Sequence, residues 1–254
     1  MNNRVVKFTR LFAFVASLTL TVWFFTVQRA ESQVLDFIQH QLILQESEDV
    51  AFAVNLASVL GKFLEPRRLY NEETFPYSRF SNEVLNSPIL TVLMNGGGSC
   101  GYSAEVGVAL CQKLGYDARF VQLLDSKGDT RHVVFDFRLD SGDLVVVDPI
   151  FGTAMIDSMG IPYTYDQLKH NWAKIRLGLP ATKIRDYSYE HGVQFTNWQK
   201  FGALESTLRR MVRFLGEDDD QISLRVHWNQ MIAWLPVFFG GLALFFLVGC
   251  FRHE

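Results

Sequence analysis

Cysteine is scarce, with three in 254 residues. That excludes the disulfide-scaffold class of small secreted domains. Cys250 falls inside a charge-free run. Cys100 and Cys111 lie on a segment whose pattern predicts one helix, which sets them about 16 Å apart, where a disulfide needs Cα atoms within about 7 Å. Cys100 therefore reads as a free thiol and Cys111 as core packing. An excess of one charge is missing too: 24 Lys and Arg stand against 27 Asp and Glu. The sequence lacks the basic footprint that nucleic acid requires, so no such partner is expected. His40, His227 and His253 show no ligand spacing, and His170 and His191 read as surface groups. No metal site and no cofactor are expected. There is no internal repeat and no low-complexity stretch. The one short run of like charge, Glu217-Asp218-Asp219-Asp220, reads as a solvated loop without calcium-ligand spacing.

Long charge-free runs, by contrast, are present at both ends. Residues 11–27 (LFAFVASLTLTVWFFTV) and 231–251 (MIAWLPVFFGGLALFFLVGCF) contain no charged side chain. A bilayer core of about 30 Å takes roughly 17–25 apolar residues of helix. Both runs are predicted to span. A cleaved signal peptide is the competing reading of the first. Its apolar run exceeds the usual ~7–15 residues, and Thr26-Val27-Gln28-Arg29-Ala30 is a poor cleavage site. Arg4, Lys7 and Arg10 precede the first span and only Arg29 follows it closely, which puts the N-terminus in the cytoplasm. The expected layout is residues 1–28 as cytoplasmic end and first span, 29–229 as a periplasmic or extracellular domain, and 230–254 as second span and cytoplasmic tail. Arg225 and His227, on the outer side of the second span, run against the charge rule.

Between the spans, residues 31–64 have helical spacing that Gly61 and Pro66 are expected to end. Residues 66–88 read as irregular, and Ile89–Met94 as a strand or a helical turn. The loop Asn95-Gly96-Gly97-Gly98-Ser99 follows. Residues 100–114 have helix signals at both ends, Ser99 as N-cap and Gly115 as the glycine past the C-cap. Ala104, Val108, Cys111 and Leu114 form its apolar stripe. Residues 118–124, 132–137 and 143–148 read as strands, the last two joined around Asp140-Ser141-Gly142. Residues 164–177 and 199–216 read as helices. In the second, Phe201, Leu204, Leu208, Met211, Val212 and Leu215 make one apolar face.

Chemistry gathers on the middle elements. A cysteine at a helix start sits among unpaired N–H groups that favour the thiolate nucleophile. The Cys100 N–H is placed to receive an oxyanion. The loop residues Gly98, Ser99 and Gly101 leave room for a substrate chain. His132 opens one strand and Asp148 closes the next. A five-residue loop over 138–142 would set Phe135 opposite Val145 and His132 opposite Asp148, bringing carboxylate and imidazole together. A one-residue slip would put them on opposite faces. Gly96, Gly98 and Gly101 also match the dinucleotide fingerprint G-x-G-x-x-G. The short connection between the next two strands argues instead for an antiparallel hairpin.

The segments GGGSCGYSAEVGVALCQKLGYDARFVQLL and RHVVFDFRLDSGDLVVVDPIFG, together about residues 95–152, resemble the transglutaminase-like superfamily. The chain looks like a membrane-anchored, bacterial-type member. The resemblance implies an α+β fold, a papain-like core in which the cysteine helix packs on an antiparallel sheet. It implies Cys100 as nucleophile, His132 as general base and acid, and Asp148 as orienting carboxylate. Members often carry Trp two residues after the histidine, and Val134 stands there.

The expected function is a membrane-anchored cysteine enzyme acting on amide bonds through a thioester, by acyl transfer or hydrolysis. Its substrates would be peptides, proteins or envelope polymers, met at the lipid surface. The alternative is a non-catalytic accessory subunit of an envelope assembly. Gly240-Gly241 and Pro236 in the second span offer a packing face for a membrane-protein partner.

Overall fold

The computed structural model describes residues 3–43, 49–71, 89, 100–178, 187–226 and 234–251. They divide into two compact units, Met1–Val34 with His227–Glu254, and Leu35–Val226.

In the first unit, helix α1 (Asn3–Ile43) begins and runs on without a break beyond the apolar segment. Its stretch Phe8–His40 is long and apolar enough to cross a membrane by length and composition. The hydroxyls of Thr19, Thr21 and Thr26 donate to the carbonyls of Val15, Ser17 and Val22 one turn back. Those hydroxyls are thus satisfied within the helix, as an apolar solvent demands. The C-terminal helix, α6 (Leu235–Phe251), has 17 residues and falls short of the same length test; residues 231–233 of the expected second span lie outside the described residues. Within this unit Phe24 and Phe239 stack at 6.0 Å, and Gly240 faces Thr21. Gly240 of α6 thus meets a helix of its own chain, while Gly241 does not.

The second unit is α+β. Helix α2 covers Asp49–Asn71 and α3 covers Cys100–Lys113. Strands β1 (Ala118–Leu124), β2 (Thr130–Arg138), β3 (Leu144–Asp148), β4 (Thr153–Ala154) and β5 (Val193–Gln194) form one antiparallel sheet in the order β4-β3-β2-β1-β5. Helix α4 (Tyr165–Ile175) crosses one face, and a 3-10 segment (Trp198–Leu204) leads into α5 (Glu205–Phe214). The all-antiparallel pairing removes the dinucleotide reading, which needs a parallel crossover.

Strands β1 to β3 follow the valine-rich pattern closely, because near-continuous apolar runs have few other ways to bury both faces. On β2, Phe135 packs on α3, while Val134 and Asp136 lie on the other face of the sheet. Phe135 lies so close to α3 that a Cβ on Gly107 would sit 2.3 Å from its ring. The opposite face carries the core of Val121, Leu123, Val134, Val146, Leu168, Trp172 and Tyr189. Asp136 is fully buried there, yet it accepts Arg119 in a two-pronged pair at 2.7 and 3.1 Å and the Tyr165 hydroxyl at 2.8 Å.

Several expectations need correction. The helix expected over 31–64 is two helices, α1 ending at Ile43 and α2 starting at Asp49, and α2 runs through both Gly61 and Pro66. Gly61 is there for space rather than as a stop: a Cβ would lie 2.6 Å from the Cα of Gly152. Helix α3 is buried on almost every side instead of along one stripe, because α2 and the Arg225 side chain pack on it beyond the sheet. The helix expected over 199–216 is broken at Gly202, whose φ is +51°. Its apolar face is largely exposed: only Val212 is buried and Leu208 partly so, while Leu204, Met211 and Leu215 face outward. The local core of Trp198, Val212 and Ile222 is too small to cover them. The acidic run is not wholly solvated, since Asp219 is buried and binds Arg209 and Arg213. Arg225, the misfit of the charge rule, pairs with buried Glu105 of α3. Residues 90–99, with the expected strand or turn and the glycine loop, lie outside the described residues, as do residues 72–88.

Candidate functional site

Cys100 is the first residue of α3, half-buried and free. The helix ends as the sequence suggests: Gly115 takes φ +90°, the Tyr116 N–H donates to the Cys111 carbonyl at 2.9 Å, and the Gly115 N–H donates to Gln112 at 3.0 Å. That pair of bonds closes a Schellman end. Cys111 is fully buried and burial pushes its thiol well above the ordinary range, which suits packing and not chemistry.

His132 reaches the site by an irregularity. Leu123 pairs with His132 but Leu124 pairs with Thr130, so Arg131 is an extra residue in β2. Such bulges bend a strand and re-aim the side chains beside them. Arg131 itself turns outward onto Asp125 at 2.6 Å.

The β2–β3 register differs from the one expected. Phe135 pairs with Val147 and Arg138 with Leu144, so His132 is not directly opposite Asp148. The loop is Leu139–Asp143. Its turn closes by a bond from the Gly142 N–H to the Leu139 carbonyl, with Gly142 at φ +92° and Leu139 buried. The shift is two residues and preserves the face. His132 and Asp148 therefore remain on one side of the sheet as diagonal neighbours, and His132 Nε2 lies 2.8 Å from Asp148 Oδ2.

Asp148 is completely buried and held on both oxygens. Oδ1 accepts the N–H groups of Ile150 and Phe151 at 3.0 and 3.1 Å. Oδ2 accepts His132 and also the Tyr187 hydroxyl at 2.8 Å. An ionised carboxylate only accepts, so Nε2 of His132 carries a hydrogen and Nδ1 is left for Cys100. The turn that supplies the two N–H groups is pressed on α2 through the Gly61–Gly152 approach.

The electrostatics follow from this packing. Burial alone would lower His132, but the hydrogen bonds and charges of Asp148 and Cys100 raise it to about 9. Burial alone would raise the Cys100 thiol. The hydrogen bond and charge of His132, with the N–H groups of Val133 and Gly101, outweigh burial and bring the thiol below its ordinary range. A thiolate beside an imidazolium is the nucleophilic state of such a pair. Of the loop residues expected to meet substrate, Gly98 and Ser99 lie outside the described residues. Gly101 is buried, and its N–H serves the Cys100 sulfur and supports the thiolate. Among the described residues no three His, Cys, Asp or Glu side chains gather as metal ligands.

The sequence reading missed the aromatic surround. The Tyr187 ring stacks on the imidazole at 4.3 Å, and Phe151 lies 5.8 Å from the imidazole. Trp172 stacks behind Tyr187 at 5.7 Å and donates its Nε1–H to the Tyr187 carbonyl. The alternating Tyr187-Ser188-Tyr189 was the available signal, but two aromatics in an extended segment carry no address.

Comparison of the chain with protein-family models, with curated proteins and with solved structures yields no match.

Proposed function

We propose that this chain is a membrane-anchored cysteine enzyme of the transglutaminase-like kind, acting on amide bonds of peptides, proteins or envelope polymers. The observation that carries the reading is one arrangement: a thiol at a helix N-terminus, driven toward thiolate by a histidine that a buried aspartate holds. The Cys100 thiolate attacks the amide carbonyl carbon. The oxyanion that forms lies toward the helix N-terminus, where the Cys100 N–H can donate. His132 gives its Nδ1 proton to the leaving nitrogen as the C–N bond breaks, leaving a thioester. Water or an amine then attacks, His132 takes the proton, and the thiolate is restored. Asp148 keeps the imidazole in one tautomer and stabilises its cation throughout.

In this reading α1 is an uncleaved anchor, α6 with its preceding residues returns the chain to the cytoplasm, and the Leu35–Val226 unit works outside it at the lipid surface. The apolar length of Phe8–His40 supports the anchor.

Alkylation of the purified chain with iodoacetamide across pH tests the reading. The expected result is modification of Cys100 well below pH 8, lost in Cys100→Ala. A folded chain whose Cys100 alkylates only with an ordinary thiol profile overturns the enzyme and favours an accessory role.

A further inference from the structure

Tyr187 lies 39 residues beyond Asp148 in the chain and touches both members of the histidine–aspartate pair. Its two contacts are chemically distinct. The hydroxyl donates to Asp148 Oδ2, the same oxygen that receives His132. The ring lies nearly parallel to the imidazole, with 20° between planes. We propose that Tyr187 is a positioning residue for the cysteine site: its ring fixes the plane of His132 so that Nδ1 faces Cys100, and its hydroxyl tempers the charge of the carboxylate that His132 leans on. This inference rests on the cysteine-enzyme reading above and deepens it.

The surroundings make the role specific. Trp172 stacks on Tyr187 and bonds its carbonyl, so the ring is not free to swing. Phe151 also lies against the imidazole, and its own N–H is tied to Asp148 Oδ1. An imidazole pinned only at Nε2 can turn about that bond. A face-on ring limits the turn, and an aromatic face also favours the cationic form. The hydroxyl acts in the other direction. A second donor on Oδ2 draws charge from the oxygen that stabilises the imidazolium. The titratable groups facing the pair are Cys100 from α3, Asp148 from β3, Tyr187, and Tyr189 near the carboxylate. Burial and the Asp148 charge keep both tyrosines protonated, so Tyr187 acts as a neutral donor throughout.

Two variants of the full chain in detergent separate the contacts. Tyr187→Phe keeps the ring and removes the hydroxyl, and Tyr187→Leu removes both. The readouts are the iodoacetamide rate of Cys100 at pH 6 and the His132 titration followed by NMR of its ring protons. Tyr187→Leu is expected to lower the rate at pH 6 about tenfold or more, the effect of a one-unit rise in the thiol titration. Tyr187→Phe is expected to hold the rate within about twofold and to move the His132 titration upward, since Asp148 Oδ2 then serves the imidazolium alone. Thermal unfolding checks that each variant is folded. Variants that melt earlier but keep both the parent rate and the parent titration would show a structural residue and overturn the inference. So would a downward His132 shift in Tyr187→Phe. A parent chain unreactive at pH 6 overturns the enzyme reading and this inference together, whereas a reactive parent matched by Tyr187→Leu overturns this inference alone.

Discussion

At the residue scale, the pairing of His132 with Asp148 and Cys100 links chemistry to stability. His132 titrates at about 9 in the fold against about 6.5 in an unfolded chain. A raised value means that the folded state binds the proton more tightly. The resulting stabilisation is complete below pH 6.5 and disappears as pH rises through about 9, on the order of 3 kcal/mol across that window. Cys100 works with the opposite sign, since its lowered value gives stability at high pH that is lost as pH falls through the folded titration. In the parent the two slopes oppose each other, so a melting temperature that falls between pH 6.5 and 9 is expected in Cys100→Ala, where Asp148 still holds the imidazolium. Adding His132→Gln to Cys100→Ala should largely remove that slope. Equal slopes in the two chains would mean that the histidine charge is not held by its neighbours. The residues of this site were legible because each has a strong local signal, a helix start for Cys100 and strand ends for His132 and Asp148. Tyr187 was not, because nothing nearby in sequence says that residues 187 and 148 meet. Glu105 with Arg225 and Asp136 with Arg119 were hidden for the same reason.

At the element scale, the site is set by how closely its supports approach. The turn after Asp148 supplies two N–H groups to the carboxylate and is held against α2 where Gly61 meets Gly152. Gly152 has φ +59°, and a side chain on Gly61 would meet backbone, which cannot step aside. Gly61→Ala should cost about 1–3 kcal/mol as overpacking, seen as a lower melting temperature. It should also slow Cys100 alkylation at pH 6, because the turn and the carboxylate move with it. A lower melting temperature with unchanged alkylation would separate the α2 contact from the site. The sequence announced strands β1 to β3 and helix α3 through contiguous valines and a Leu-Gly end. It misjudged Gly61, since a glycine that ends a helix and one that lets two backbones touch look alike in one dimension. It also set the β2–β3 register two residues off. Loop length counts residues, but a buried Leu139 and a left-handed Gly142 decide which of them belong to the turn.

At the scale of the whole molecule, the question is which side of a membrane the Cys100 unit faces. The candidate span Phe8–His40 offers the chain one crossing by length and apolarity, and Arg4, Lys7 and Arg10 precede it. In the proposed topology the Lys and Arg before the first span stay in the cytoplasm and the Leu35–Val226 unit lies outside. The exposed loop Leu139–Asp143 supplies a reporter that leaves the site alone, because Asp140 is open to solvent and its neighbour Leu139 holds the turn. Asp140→Cys in a Cys100→Ala background should react with a membrane-impermeant maleimide in cells whose inner membrane is intact. Masking by the same reagent should then block later labelling with a permeant one. Labelling that appears only after permeabilisation would put the unit in the cytoplasm. The envelope substrates proposed for it would then be out of reach, although the thiolate chemistry of Cys100 would stand. The second crossing is tested by the same logic at the other end. A cysteine replacing His253 should be masked from outside reagent if α6 and the residues before it return the chain across the bilayer. The same cysteine should be labelled from outside if they lie along the bilayer surface.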